Sequence, residues 1–388
     1  MASRLTDYVT PRDGAVSARY SAPRVSIAQL VEDYLDEKID FHGDMEDFMQ
    51  NRWDLVDFGV SKAHLKYIAT RLIPELGIHS KSIDARLVRD HYDRGDDFFE
   101  AFLGPRMVYT SGFLKTVDDD LELAQDQKMD LVCQKLQLAP GKKMLDIGCG
   151  WGTLCQFAAE HYGVDATGVT LSQNQVDFGN ARIKAAGLSD RARLLTVDYR
   201  DIQDTKFDAI SCLEMSEHVG SKNYHIFVKK VMDLMADDAL FLLQIVGPRR
   251  GMRSLNPSWG LFMATYIFPG ADAARPLSWV SDQFEIGGLE VNTVENINYH
   301  YATTIKRWYD NWEKNADAIR GKYGERWYRL WAIFLTWASR VGWEGESNCF
   351  QIVAHKSLNS FDRSRFVGRS GLGLSAPAYG HLGERRLS

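Results

Sequence analysis

The stretch Asp146-Ile-Gly148-Cys-Gly150-Trp-Gly152 places three glycines at alternate positions between an apolar run, MLDI, and a helical pattern, LCQFAAEHYG. In that context glycine lets the backbone turn tightly and approach a ligand closely. The spacing is G-x-G-x-G rather than the dinucleotide form G-x-G-x-x-G, and Asp146 stands two residues before the first glycine. A dinucleotide site also expects an acidic residue about 20 residues on, to hold the ribose hydroxyls. This chain instead has Thr170-Leu-Ser-Gln173-Asn-Gln175. The combination suits S-adenosylmethionine better than a nicotinamide dinucleotide. The competing local reading is a glycine turn that only packs a helix onto a strand.

A second group lies further on. Glu217-His218 follows the apolar run FDAISCLE and precedes the helical stretch KNYHIFVKK. In a doubly wound sheet the carboxyl ends of parallel strands are where ligands bind, and a carboxylate there can take up a proton. The competing reading is a carboxylate at a helix N-terminus, favoured by the helix dipole alone. His218 reads as a structural histidine. Trp259, Phe262, Tyr266, Tyr299 and Tyr301 offer ring faces that stabilise a developing cation, or form an aromatic core. No Cys/His/Asp cluster has metal-ligand spacing and no Ser/His/Asp arrangement stands out, so no metal is expected.

The elements that must position these groups are legible from Lys143 onward, where short apolar runs alternate with helical stretches: MLDIG, LCQFAAEHYG, DATGVTL, QVDFGNARIKAAG, ARLLTVD, FDAISCLE. That alternation predicts βαβ units and an α/β fold with a doubly wound, mostly parallel sheet. The strands continue with ALFLLQIVG, EVNTVENI and FQIVAH. An aromatic-rich insertion at about 248–280 is expected to cap the pocket, and 303–340 reads as helix dense in Trp and Tyr. Upstream, Ile27, Leu30, Val31, Tyr34 and Leu35, then Leu65, Ile68, Leu72 and Ile73, recur at helical spacing. The expected organisation is a flexible arm over 1–24, an N-terminal helical region over 25–125 covering the active site, the sheet core over 126–357, and a disordered tail over 358–388.

Lys plus Arg number 46 and Asp plus Glu 52, a net charge of −6, which argues against nucleic acid as a partner. Five cysteines without paired CxxC spacing point to a reducing, cytoplasmic compartment. The first residues lack the apolar segment of a secretory signal. The most apolar run, 239–247, is far below the roughly 18 residues needed to span a bilayer. A substrate in a membrane would require peripheral contact, for which Arg249, Arg250, Arg253 and the basic tail are candidates, unless they are simply a solvated charge run. Nothing in the sequence indicates an oligomeric state.

Several ordered stretches carry a resemblance: HYDRGDDFF at 91–99, YTSG at 109–112, LDIGCGWG at 145–152, GVTLSQNQ at 168–175, EHVG at 217–220 and YIFPG at 266–270. Together they are similar to the cyclopropane fatty acid synthases and mycolic acid methyltransferases, which bind S-adenosylmethionine and alkylate carbon–carbon double bonds. Through FFEAFLGPRMVYTSG, EMSEHVG, FLLQIVG and WGLFMATYIFPGAD the chain resembles the fungal sphingolipid C9-methyltransferases within that family. The N-terminal helical segment resembles the layout of plant alkaloid N-methyltransferases.

The resemblance implies a class I, Rossmann-like methyltransferase fold with S-adenosylmethionine as cofactor. It assigns Tyr109 and Thr110 to the methionine part, Gly148, Gly150 and Gly152 with Asp146 to the backbone cradle, Thr170, Gln173 and Gln175 to the ribose, and Asp198 and Tyr199 to the adenine side. For Asp198 a loop residue closing the third strand is the other reading. Glu217 resembles the glutamate that helps hold a bicarbonate base in the cyclopropane synthases, and Tyr301 matches the family tyrosine. Ser111 stands where those enzymes have Cys, and Gln244 where they have His. Losing a thiol and an imidazole from that cage favours plain methyl transfer over ring closure, with Glu217 and Tyr301 accepting the proton and Tyr266 flanking the cation. The implied function is methylation of a carbon–carbon double bond in an unsaturated, sphingolipid-like chain. The alternative is an N- or C-methyltransferase acting on a small amine or secondary metabolite.

Overall fold

The computed structural model describes residues 4–59, 95–250, 257–268 and 275–367. The chain divides into two compact units: Met1–Ile78 with Gly251–Gly270 and Ala302–Glu346, and His79–Arg250 with Ala271–Tyr301 and Ser347–Ser388.

The second unit is built on a seven-stranded sheet: β1 (Lys143–Ile147), β2 (Asp165–Thr170), β3 (Ala192–Thr196), β4 (Phe207–Leu213), β5 (Met235–Pro248), β6 (Leu289–Asn296) and β7 (Ser347–Lys356). The order across the sheet is β3-β2-β1-β4-β5-β7-β6. The first five strands pair in parallel, while β7 runs antiparallel to both β5 and β6. Strands covered on both faces should read as continuous apolar runs, and FDAISCL and ALFLLQIVG do. On β5, Leu240 and Leu242 join one hydrophobic cluster with Cys155 and Phe157, while Phe241 and Leu243 join the other with Phe227 and Phe284. This is the two-residue alternation of a pleated strand. Ser172 caps the helix Gln173–Ala185, and Asp120 caps the helix Leu121–Lys135. All five cysteines are free and buried.

The first unit is helical, with Ile27–Leu35, Met45–Leu55, Ala316–Tyr323 and Glu325–Trp343 as its main described helices. Arg52 is fully buried and donates to Glu344 (2.9 and 2.6 Å) and to Glu346 (3.0 Å). Arg329 donates to the carbonyls of Tyr34 (3.0 Å) and Ile39 (2.9 Å) and to Asp40 (2.6 Å). Trp259 and Phe262 pack against Trp337 at 5.0 and 5.3 Å.

Several expectations about organisation change. The arm expected over 1–24 is folded from residue 4, because Leu5, Val9 and Tyr20 are buried and Val9–Pro11 pairs with Ile39–Phe41. The helical region expected over 25–125 is divided: the helices Asp96–Leu103 and Leu121–Lys135 fall in the sheet unit. The stretch 303–340 and residues 257–268 of the aromatic insertion group instead with the N-terminal helices, while 275–280 stays with the sheet unit. Residues 358–367 of the tail expected to be disordered are ordered: Phe361 stacks on His355 at 3.5 Å and Arg363 pairs with Glu290. Leu65, Ile68, Leu72, Ile73 and residues 368–388 lie outside the described residues. Among the described residues no helix is long and apolar enough to cross a membrane.

Candidate active site

The sheet order reverses direction between β1 and β4, and a doubly wound sheet opens a crevice at the carboxyl ends of its strands at that point. A cleft lies there, about 1210 Å³ when the solvent at its open mouth is counted. It is lined from the turns after β1 to β4, from residues 107–110, and from Lys128 and Met129 of the helix Leu121–Lys135.

The glycine loop shapes one wall. Gly148, Gly150 and Gly152 all have left-handed φ, at +77°, +53° and +78°. A Cβ on Gly150 would meet nothing within 4 Å, so the loop presents bare backbone to open space. A Cβ on Gly152 would strike Leu194 at 2.4 Å, and Gly152 does not line the cleft. Its role is therefore to let the helix Thr153–Tyr162 approach β3, which corrects its expected place in the cofactor cradle. Asp146 is 3% exposed and accepts a hydrogen bond from Ser211 Oγ at 2.6 Å, and burial pushes its carboxyl up to about 6.

On the next turn the Thr170 hydroxyl donates to Gln175 Oε1 at 2.8 Å, and both residues line the cleft. Gln173 does not. It is exposed, donating to Asp177 and accepting from Thr196, each at 2.7 Å. Residues two apart on a helix point about 200° from one another, so Gln173 and Gln175 cannot share a face. Asp198 and Tyr199 line the far side, with the Asp198 carboxylate clasped by the Arg200 guanidinium at 2.6–3.0 Å. Tyr109 packs its ring on Phe102 and Phe99, and the Thr110 hydroxyl accepts from Lys128 Nζ at 2.9 Å.

The residues expected to form a catalytic cage do converge, but on a different carboxylate. Glu214, at the end of β4, lines the cleft and accepts through Oε1 from the Ser111 amide (3.0 Å), from Gln244 Nε2 (2.5 Å) and from the Cys349 thiol (3.8 Å). Its Oε2 accepts no hydrogen bond among the described residues. Burial raises the Glu214 carboxyl above its ordinary range, opposed by those donors and by Lys128. Tyr301 packs beside Cys349, its phenol raised well above the usual range by burial and then by Glu214. Gln244 is held in turn by Gln351 Nε2 at 2.9 Å, its register partner across β5 and β7.

Glu217 is not on the cleft. It is 9% exposed, accepts from the Val246 amide at 2.8 Å, and leaves Oε2 without a partner among the described residues, in a separate small hollow with Tyr224 and Trp279. Burial pushes it up to about 8, so it is mostly neutral at pH 7. Glu214 has φ +55°, which ends β4 abruptly. The following 3-10 turn, Ser216–His218, then carries Glu217 back against β5. Tyr266 belongs to the helical unit, where its hydroxyl donates to Glu32.

Sequence reasoning missed Glu214 and Lys128. For Glu214 the signal was faint, a charged residue ending the apolar run FDAISCL; for Lys128 there was none, since the burial of Gln125, Asp126, Gln127 and Lys128 leaves no mark in the sequence.

This sheet order, with its glycine cradle at the reversal point, defines a doubly wound class I S-adenosylmethionine-dependent methyltransferase. The family model for mycolic acid cyclopropane synthetase matches residues 79–352, and the chain belongs to that family. It is 42% identical over 382 residues to the sphingolipid C9-methyltransferase of Komagataella phaffii, covering 95% of this chain and 78% of that one. It is 43% identical over 362 residues to sphingolipid C9-methyltransferase 2 of Gibberella zeae, covering 92% and 70%. Among solved structures, the mycolic acid cyclopropane synthase CmaA1 complexed with SAH and CTAB matches with a TM-score of 0.66 at 28% identity, covering 72% of this chain and 100% of that one.

Proposed function

We propose that this chain transfers the methyl group of S-adenosylmethionine to a double-bond carbon of an unsaturated, sphingolipid-like chain, leaving a methyl-branched alkene rather than a cyclopropane. The relatives named as sphingolipid C9-methyltransferases support the substrate class. The observation that carries the chemistry is the gathering of Ser111, Gln244 and Cys349 on one oxygen of Glu214, with the other left open at the cleft.

The residues present fit the cofactor. Bare backbone at Gly150 would face it, with Thr170 and Gln175 toward the ribose, Asp198 and Tyr199 toward the adenine, and Tyr109 and Thr110 toward the methionine part. When bound, the cofactor would supply an electrophilic methyl, the electron pair of the broken carbon–sulfur bond staying on sulfur to leave a neutral thioether. Positioning the alkene in line, at roughly 3 to 3.5 Å, provides much of the rate. As the alkene's π electrons form the new C–C bond, positive charge develops on the neighbouring carbon, where the Glu214 carboxylate and the ring face of Tyr301 stabilise it. Glu214 Oε2 then takes the proton from the carbon that received the methyl, and those C–H electrons restore the double bond. Taking it from the new methyl instead would close a ring. A carboxyl raised toward working pH, yet kept ionisable by its donors, is suited to this task.

The test incubates the purified protein with trideuteromethyl-labelled S-adenosylmethionine and, in parallel, unsaturated sphingolipids and a panel of small amines, with products read by mass spectrometry. The expected product is a lipid retaining all three deuterons. Retention of two would mean ring closure, and label confined to amines would overturn the lipid assignment.

A further inference from the structure

Lys128 sits in mid-helix at 1% exposure and lines the cleft. A buried ammonium is costly unless it is paired and hydrogen-bonded. Two other enclosed lysines of the sheet unit obey that rule: Lys135, on the same helix, contacts Glu295 and Gln351, and Lys356 contacts Asp237 at 2.8 Å. Lys128 differs. Among the described residues its Nζ makes one hydrogen bond, to the neutral hydroxyl of Thr110, and no ion pair. Glu214 and Asp146 act on it only at longer range, and each is engaged elsewhere, Asp146 with Ser211 and Glu214 with Ser111 and Gln244. An ammonium has three donors, so two remain unused in the wall of a ligand cleft.

The cofactor's chemistry says what they await. S-adenosylmethionine carries a cationic sulfonium, a cationic amine, a neutral ribose and adenine, and one anionic group, its α-carboxylate. We propose that Lys128 is the anchor of that carboxylate, a binding residue that fixes which end of the cofactor lies beside Thr110. The amine is then left to the Asp146 side of the cleft, which keeps Glu214 free for the substrate. This rests on the reading of the cleft as the cofactor site. Burial pushes the Lys128 ammonium down to about 8, and a carboxylate seated on it would draw that value back up.

The experiment compares two probes by calorimetry: S-adenosylhomocysteine, which has the carboxylate, and 5′-methylthioadenosine, which lacks the amino-acid end. In Lys128→Met the expected result is a loss of roughly 10- to 100-fold in affinity for the first, the range of a hydrogen bond to a charged group. Affinity for the second should change little. Equal losses for both, or no loss for the first, would overturn the assignment. If wild-type protein binds neither probe, the cofactor reading itself is what fails. Should Lys128→Met not fold, wild-type protein with ¹³Cε-labelled lysines gives the answer. The lysine signal titrating near pH 8 must move up on adding S-adenosylhomocysteine and stay in place with methylthioadenosine; identical behaviour with both overturns the assignment.

Discussion

Gln244 Nε2 lies 2.5 Å from Glu214 Oε1, and the same two residues are joined a second time through the backbone, where the Glu214 amide donates to the Gln244 carbonyl at 2.8 Å. The double link holds Glu214 in its left-handed conformation and fixes the direction of its carboxylate. A glutamine in this position donates without changing charge, so Glu214 keeps the freedom to gain and lose a proton.

Glu214→Gln should therefore bind S-adenosylhomocysteine much as wild type does, while single-turnover methyl transfer falls by about two to four orders of magnitude, the range for loss of a general base. Turnover within twofold of wild type would remove Glu214 from the reaction.

Glu217→Gln should retain turnover within about threefold, since a carboxyl titrating near 8 is already mostly neutral at pH 7. Its stability should respond to pH instead. The folded value, about 8, lies above the ordinary 4.5, so the native state holds a proton that the unfolded state has released between those limits. Wild-type stability is thereby eroded as pH rises from about 4.5 to 8. The melting temperature of the glutamine variant, relative to wild type, should climb across that window; a constant difference would contradict the assignment.

Two glycine substitutions should separate binding from folding. Gly150→Ala adds a methyl on the open face of the loop and should weaken S-adenosylhomocysteine binding, with a stability cost of about 1 kcal/mol for the left-handed φ. Gly152→Ala drives a methyl into Leu194 and should chiefly lower the melting temperature.

In the helical unit, Arg52→Met strands Glu346 and leaves Glu344 with only Arg340 and Trp53, and should cost about 3–5 kcal/mol in denaturant unfolding. Arg52 holds the Glu344 carboxyl down at about 2, so in wild type this contribution is present above pH 4.5 and is lost as pH falls toward 2. The variant should lose less stability than wild type over that acid range.

The glycine wall of the cleft was legible because its determinants are local: a glycine spacing, an aspartate two residues ahead, and a place between an apolar run and a helical pattern. Glu214 was not, because its place depends on the register of β4, β5 and β7 and on a left-handed turn, none of which leaves a pattern in FDAISCLEMSEH. The gathering of Ser111, Gln244 and Tyr301 was anticipated while the carboxylate at its centre was not. Gln173 and Gln175 could be told apart only by helical phase. Lys128 reads as one more polar residue on a charged helix until the sheet buries it. The helical unit was hidden for another reason, since hydrophobic spacing within a segment does not say which distant segment will cover it.

That last feature bears on the order in which the chain is made. Arg52 emerges from the ribosome 292 residues before Glu344, and Arg329 completes the packing of Tyr34 and Ile39 at nearly the same remove. Domains tend to fold as they are synthesised, N-terminal parts first. The opening helices of this chain cannot do so fully, because a buried guanidinium has no counter-charge until almost all of the described protein exists. During synthesis the sheet unit gains most of its strands first, and the helices Ile27–Leu35 and Met45–Leu55 are among the last elements to reach their final environment.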